Sequence, residues 1–311
     1  MIQALRLPLT ARRPPDRFRT FAVAVSCVAP LVLVAIVVVL YRVAEPSIFH
    51  FGPGFLLGRS WNPVSLDFGA WPFIFGTVAT SAMALGLALP VGLAVAIVLA
   101  QPSAQRVRQT IGTGIELLAA IPSVVYGIWA LYVMAPYLFI HVEGPLSQRL
   151  GSVGLFSGPP RQTSLFTAAV VLAVMILPTL SAVSRDVLRA VPSGLRESAT
   201  ALGATWWETT WKVVLPAARA GIFGAAVLAL GRALGETIAV TMVIGNRPEV
   251  PASIFFPAYT LASVIANEFT EATGTLYPAA LAELGLVLIL VTFTFNVLAL
   301  LLVRSTSRTG R

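Results

Sequence analysis

Residues 73–100 read FIFGTVATSAMALGLALPVGLAVAIVLA, a run of 28 residues without a charged side chain. The hydrocarbon core of a bilayer is crossed by about 20 apolar residues in a helix, so this run is long enough to span it. Because lipid offers no hydrogen bonds, a spanning segment must satisfy its own backbone groups. The run therefore predicts a transmembrane helix.

The rest of the chain has the same character. Hydrophobic residues make up 57% of its 311 residues and charged residues 11%, against about 25% charged in soluble domains. The sequence predicts an all-α, polytopic membrane protein with six transmembrane helices. The predicted spans are 21–42, 73–100, 113–139, 164–187, 220–245 and 281–303.

The distribution of positive charge predicts the orientation. With the N-terminus inside, fifteen Arg or Lys side chains fall in inner segments and five in outer loops. This is the bias of the positive-inside rule, so it predicts a multi-pass protein of the bacterial inner membrane with both termini cytoplasmic. Residues 1–20 are then a basic cytoplasmic segment, 21–303 the transmembrane domain and 304–311 a cytoplasmic tail. Cations scattered between apolar spans do not favour a nucleic-acid partner.

Enzymatic motifs are missing from the sequence. It contains no P-loop pattern, and its only histidines, His50 and His141, lie in predicted outer loops far from the single Cys27. No metal cluster is expected from this set. We therefore expect no catalytic residues, no metal and no cofactor bound by this chain.

Two ionisable residues interrupt the fifth span. Arg232 and Glu236 lie in GRALGET (231–237), and a spacing of four predicts one helical face and a pair. Charges inside a membrane are costly, so they lock the bundle as an ion pair or line a polar pathway. An arginine fork suits an oxyanion, and Thr237 and Thr241 would add hydroxyls to such a pathway.

The inner segment 190–217 carries its own signals. The pattern predicts a short helix over 194–202, a left-handed Gly203, a second helix over about 205–214 and a break at Pro216. This helix–turn–helix is either an interfacial anchor or a docking element for a cytoplasmic partner. Its aromatic residues are Trp206, Trp207 and Trp211.

Part of this segment resembles the EAA loop of permeases from ABC importers. The matching positions are Glu197, Ala199, Gly203, Leu215 and Pro216, with serine in place of the middle alanine. The resemblance implies the type I importer permease (MetI-like) fold. It also implies that these residues couple the permease to an ATPase subunit.

Longer runs resemble the PstC family of phosphate-specific permeases more than the sister PstA family, which shares the loop. The first 45 residues match only in character. The matching runs are IPSVVYG (121–127), MILPT (175–179), SRDVLRAVP (184–192), GRALGET (231–237) and ASVIANEF (262–269).

The resemblance implies a division of labour. This chain and a PstA-like sister permease would form the phosphate path, with Arg232 and Glu236 implicated in passage. Two PstB-like ATPase copies would bind ATP–Mg, and a PstS-like protein would deliver phosphate from outside. The alternatives left open are a permease for molybdate or sulfate, and a secondary transporter without an ATPase.

Overall fold

The structure, a computed structural model, describes residues 16–100 and 105–308. Six helices in these ranges are long and apolar enough to cross a membrane, which confirms the predicted all-α class. The helices are α1 (Asp16–Phe51), α2 (Gly54–Leu57), α3 (Trp71–Ala100), α4 (Gln105–Ala120), α5 (Ser123–Leu150), α6 (Leu165–Arg189), α7 (Ser193–Ala201), α8 (Trp206–Leu234), α9 (Ile238–Val243), α10 (Leu261–Glu268) and α11 (Leu276–Arg308). Two short antiparallel strands, β1 (Trp61–Asn62) and β2 (Asp67–Phe68), form a hairpin before α3.

The two ends of the helix bundle differ. One end, the coupling end, carries α7 and the start of α8. The other, the mouth end, carries the connections 52–70, 151–164 and 244–275. Of the predicted basic segment 1–20, residues 1–15 lie outside the described residues, as do residues 309–311 of the predicted tail.

The predicted third span, 113–139, belongs to two helices. Helix α4 ends at Ala120, and α5 begins at Ser123 with Pro122 at its cap. Proline has no N–H and disfavours a helical residue before it, which accounts for the break. The helix then continues to Leu150 through two π-helical turns, so the irregular loop expected after residue 139 begins later.

The predicted fifth span, 220–245, also differs from the structure. Helix α8 begins at Trp206 and passes through Pro216, so the break expected there is wrong. Proline cannot donate a backbone hydrogen bond. The preceding turn is π-helical, and Leu215 donates to the Thr210 carbonyl instead. The real break lies further on, after Leu234.

The core centres on α3 and α6, which pack along their lengths around Leu172, Ile176 and Leu180. Helix α1 packs against α11 at the periphery of the bundle. Between these two helices the Ser47 hydroxyl donates to Glu283 Oε2 at 2.6 Å. The most apolar stretch of α1 has no buried residue, as expected for a helix against lipid.

An aromatic cluster closes the mouth end. Trp61 Nε1 and the Tyr277 hydroxyl donate to the same Glu268 oxygen at 2.8 and 2.7 Å. Burial raises the pKa of the Tyr259 hydroxyl above its ordinary value, and Asn267 Nδ2 donates to that oxygen at 2.9 Å. The carboxylate and amide of α10 therefore tie the hairpin, the 244–275 connection and α11 together.

Gly76 provides a test of how tightly this connection packs on α3. A Cβ at Gly76 would lie 2.1 Å from the Tyr259 carbonyl oxygen, whereas one at Gly86 on the same helix has no atom within 4 Å. We expect Gly76→Ala to destabilise the protein by about 1–3 kcal/mol, since backbone has to move. Gly86→Ala is the control and should not lower the thermal midpoint in detergent; equal midpoints for the two variants would contradict this packing.

Candidate functional site at two helix breaks

The fifth crossing is broken beside Arg232. Helix α8 ends at Leu234, and Gly235 turns the chain with φ −94° and ψ −2°. The Glu236 N–H donates to the Ala233 carbonyl at 3.3 Å, and regular helix resumes only at Ile238. An irregular backbone at membrane depth is tolerated only where protein covers it or where it lines a water-filled cavity.

The break between α4 and α5 lies against the same region. Gly127 packs against α9 so closely that an added Cβ would meet Met242 Sδ at 2.5 Å and Ala239 Cα at 3.1 Å. The buried Tyr126 donates from its hydroxyl to the Leu118 carbonyl at 2.8 Å, which bridges the α4–α5 break. Arg232 is near enough to interact electrostatically with Tyr126. The folded chain therefore brings the runs 121–127 and 231–237 together.

Arg232 and Glu236 do not form the predicted pair. Glu236 lies beyond the end of α8, so the two residues do not share a helical face. Arg185, Lys212 and Arg247 each lie within 4 Å of a carboxylate, whereas Arg232 has no such partner among the described residues. Its side chain lies on a face that this chain leaves exposed. The guanidinium is therefore available to a ligand or a second subunit.

The other predicted pathway residues lie on α9 or just before it. The Thr237 hydroxyl donates to the Gly235 carbonyl at 3.3 Å, and Thr241 donates to the Thr237 carbonyl at 2.7 Å. Both threonines and Glu236 are half-buried. Each hydroxyl therefore donates its hydrogen to a carbonyl of the broken backbone, and only its oxygen lone pairs can accept a hydrogen bond from a solute.

The coupling segment 190–217 has the predicted helix–turn form. Helix α7 ends in a Schellman motif: Gly203 adopts φ +86° and donates to the Thr200 carbonyl at 2.9 Å, and Ala204 donates to Ala199 at 3.1 Å. Thr205 is the N-cap of α8, and its side chain forms a capping box with Glu208.

Two arginines fix the end of the bundle from which this segment leaves. Arg189 Nη2 donates to the Leu99 carbonyl at 2.7 Å, and Arg196 Nη2 donates to the Leu188 carbonyl. Glu197 and Leu202 remain exposed, Leu202 at 89%. Of the other predicted coupling residues, Leu215 is half-buried and Pro216 exposed, both within α8.

One buried carboxylate is absent from the sequence-based prediction. Glu143 is fully buried, and its Oε1 accepts from the hydroxyls of Ser164 at 2.8 Å and Thr167 at 2.9 Å. Ser164 also caps α6. The signal that could have found this site was the cap pattern Ser164–Thr167, but residue 143 was assigned to a loop.

Comparison with known proteins gives a consistent result. The family model described as "Binding-protein-dependent transport system inner membrane component" matches residues 88–308. The phosphate transport system permease protein PstC of Mesorhizobium japonicum is 45% identical over 309 residues, 97% of this chain and 94% of that protein. PstC of Pasteurella multocida is 46% identical over 286 residues, 90% and 89% of the two chains. A probable ABC transporter permease of Bacillus subtilis, YqgH, is 38% identical over 247 residues, 78% and 75%.

Solved structures support the fold. A bacterial alginate ABC transporter in complex with its alginate-bound periplasmic protein aligns with a TM-score of 0.57 at 15% identity, over 91% of this chain and 94% of that chain. The inward-facing MetNI methionine ABC transporter aligns with a TM-score of 0.54 at 20% identity, over 76% and 96%. The architecture is thus the MetI-like fold of type I ABC-importer permeases.

The separation of Arg232 from Glu236 predicts additive effects on stability. The free-energy changes of Arg232→Ala and Glu236→Ala should add within about 0.5 kcal/mol in a thermal double-mutant cycle on the purified protein. The pair Ser47→Ala and Glu283→Gln is the positive control, because those side chains are hydrogen-bonded at 2.6 Å and should couple. A coupling between Arg232 and Glu236 as large as in the control would restore the predicted pair.

Proposed function

The chain belongs to the PstC family of binding-protein-dependent inner-membrane transport components, and on that premise we propose that it is one permease half of an ATP-driven importer of inorganic phosphate. A second, PstA-like permease forms the other half of the path. Two copies of a PstB-like ATPase bind ATP–Mg on the cytoplasmic side. A PstS-like protein delivers phosphate from the opposite side. In this arrangement both termini are cytoplasmic, and this chain binds no nucleotide.

The observation that carries this proposal is the position of Arg232. It is an exposed arginine in the spanning region, without a carboxylate partner in the part of the chain that the structure describes, at a point where two helices are broken. A charge there is costly unless a ligand or water stabilises it, so such residues mark solute paths. Planar guanidinium groups donate parallel hydrogen bonds to phosphate oxygens.

Helix α5 supports the same assignment. It starts at Ser123, beside the break, and a helix start carries free N–H groups and a partial positive charge. Broken helices whose N-termini point at an anionic substrate occur at the centre of many transporters. Glu236 lies two residues past the end of α8, where its carboxylate tempers the local positive charge without sharing a helical face with Arg232. An anion is thus attracted at this point but not held too tightly to leave.

The coupling segment is the part of the chain that receives force from the ATPase. Its exposed surface includes α7, the turn at Gly203 and three tryptophans at the start of α8, and α8 runs from this segment to Arg232 without interruption. At about 1.5 Å per residue the 29 residues of α8 extend about 43 Å. A displacement at the docked end is therefore transmitted along one continuous helix to the solute site.

A permease for another oxyanion remains the rival within the class. Arg232 would serve molybdate or sulfate by the same hydrogen bonds, so the electrostatics alone do not select phosphate. Reconstituted transporter should accumulate labelled phosphate with ATP, and excess sulfate or molybdate should not compete. Uptake that continues without ATPase would indicate a secondary transporter.

Removal of the guanidinium should abolish transport. We expect Arg232→Ala to reduce phosphate uptake at least about 100-fold, since one charge-assisted bidentate contact contributes about 3 kcal/mol. Arg232→Lys should retain part of the activity because it keeps the charge without the fork. Arg59→Ala, an exposed arginine at the mouth end, is the control. Unchanged uptake by assembled Arg232→Ala transporter would contradict the assigned role.

The turn at Gly203 provides a separate test of coupling. Gly203→Val forces a β-branched residue into φ +86°, which should distort the Schellman turn and reduce both ATPase docking and uptake. Gly114→Val in α4, outside the coupling segment, is the control, because nothing lies within 4 Å of its added Cβ and its φ is ordinary. Co-purification of the ATPase and uptake measure the two effects. Equal ATPase recovery and uptake in both variants would reduce the segment to an interfacial anchor.

A further inference from the structure

A cleft of about 260 Å³ opens at the mouth end between the connections 151–164 and 244–275. Its lining includes two arginines, Arg161 and Arg247, set among proline and aromatic residues. At about 30 Å³ per water molecule the cleft has room for a small anion with part of its hydration shell. It is separate from the breaks at Pro122 and Gly235.

The backbone around this cleft is held firmly. The Arg161 N–H donates to the Phe255 carbonyl at 3.3 Å, and the Arg247 N–H donates to the Ala258 carbonyl at 3.1 Å. Both arginines are therefore pinned to the same stretch, 255–258, whose Phe255 is fully buried. That stretch also pairs with the start of α6, where Leu165 donates to the Phe256 carbonyl at 3.0 Å. The backbone of both arginines is therefore fixed by hydrogen bonds, unlike the backbone of a free loop.

Two glycines with positive φ allow these connections to pack closely. Gly245 has φ +91°, and an added Cβ would lie 2.7 Å from Pro257 Cβ. Gly158 has φ +85°, and an added Cβ would lie 2.5 Å from Phe256 Cζ. Side chains larger than hydrogen do not fit at either position, so the backbone of the two connections approaches closely beside the cleft.

The charge of the cleft is not neutralised within the chain. Arg247 Nε lies 3.4 Å from Glu249 Oε2, an exposed pair that contributes little in water. The Arg161 side chain is exposed and has no ion pair or hydrogen bond with any residue in the described ranges. Two positive side chains face one negative side chain across a cleft with apolar walls, which concentrates a positive potential there.

A short route connects the cleft with the pathway residues. Asn246, next to Arg247, donates from Nδ2 to the Thr241 carbonyl at 2.9 Å, and α9 leads from there to Thr237 and the break beside Arg232. Its six residues extend about 9 Å. The buried Asn246 Oδ1 has no hydrogen-bond partner in the described residues. The cleft is thus one short helix away from the arginine in the membrane.

We propose that Arg161 and Arg247 form a first-contact site for an oxyanion at the mouth of the permease, where the anion is held before it moves inward to Arg232. This site rests on the proposed function for its direction of transport and for phosphate as its occupant. The hydrogen-bonded backbone keeps the two arginines next to the same cleft. Glu249 competes with the anion for Arg247, so the anion binds weakly and reversibly.

Thiol labelling inside the cleft tests this directly on the assembled transporter. Cys27→Ser combined with Ala252→Cys places a thiol on the exposed lining, and mass spectrometry reads its modification alone. Relative to each reagent's own rate with a small free thiol in solution, the anionic sulfonatoethyl methanethiosulfonate should react about ten-fold faster than the cationic trimethylammonioethyl reagent, a modest effect of a focused charge. Inorganic phosphate at millimolar concentration should slow the anionic reagent.

Both effects should vanish in Arg161→Gln/Arg247→Gln and persist in Arg149→Gln, a control with an exposed arginine at the same end but outside the cleft lining. Equal normalised rates of the two reagents and no protection by phosphate would overturn the site. This assay needs no transport. If the unmodified transporter takes up no phosphate, the proposed function is wrong. The labelling rates still decide whether the cleft binds an anion, because that assay does not depend on transport.

Docking of an acidic surface of the binding protein is the competing role for these arginines. ATPase stimulation is measured against the concentration of phosphate-loaded binding protein, with and without Arg161→Gln/Arg247→Gln. An unchanged half-saturating concentration, together with uptake reduced about ten-fold, supports the anion site. A half-saturating concentration that rises about ten-fold with no loss of phosphate protection at position 252 assigns the arginines to protein docking and contradicts the proposal.

Discussion

The need to satisfy every backbone N–H and C=O without water determines the rest of this structure. In hydrocarbon an unpaired backbone group costs several kcal/mol, so the chain crosses the membrane as helices and leaves them irregular only where protein or a polar path covers the backbone. Two interruptions, after Ala120 and after Leu234, therefore cannot face lipid. They pack against each other through Gly127 and α9. The meeting point of the breaks is the location of Arg232.

Helix α8 connects the two functional regions of the chain. It begins in the coupling segment at Trp206, continues past Pro216 by means of a π turn, and ends two residues after Arg232. Arg196 holds the coupling segment on the end of α6, and Arg189 ties that end to α3, the other helix at the centre of the core. In the proposed transporter, a movement imposed at α7 is therefore resisted by the core and directed along α8. The break beyond Leu234 is the first point at which this helix can yield.

Much of this architecture could be predicted from the sequence because membrane folding gives strong local signals. Apolar length gave six crossings, the small and polar residues around 203 gave the turn of the coupling segment, and a single arginine in an apolar run gave the most prominent site residue. The errors ran in both directions, since apolar length predicted unbroken helix where the chain breaks and a proline predicted a break where the helix continues. Residues 235–237 are interrupted, and Pro216 is accommodated, although both lie in stretches of similar composition. Whether a glycine or proline breaks a helix depends on which neighbours replace the missing hydrogen bonds.

The sequence by itself determined that the chain crosses a membrane six times, that Arg232 lies in an apolar crossing, and that segment 190–217 forms a helix–turn–helix, because burial in lipid and a left-handed glycine are local requirements. Only the tertiary structure decided that Arg232 and Glu236 are separated, that Glu143 is buried against Ser164, and that Arg161 and Arg247 share one cleft. These are contacts between residues far apart in the chain, or across a break in a helix. Their geometry depends on packing that no local spacing specifies.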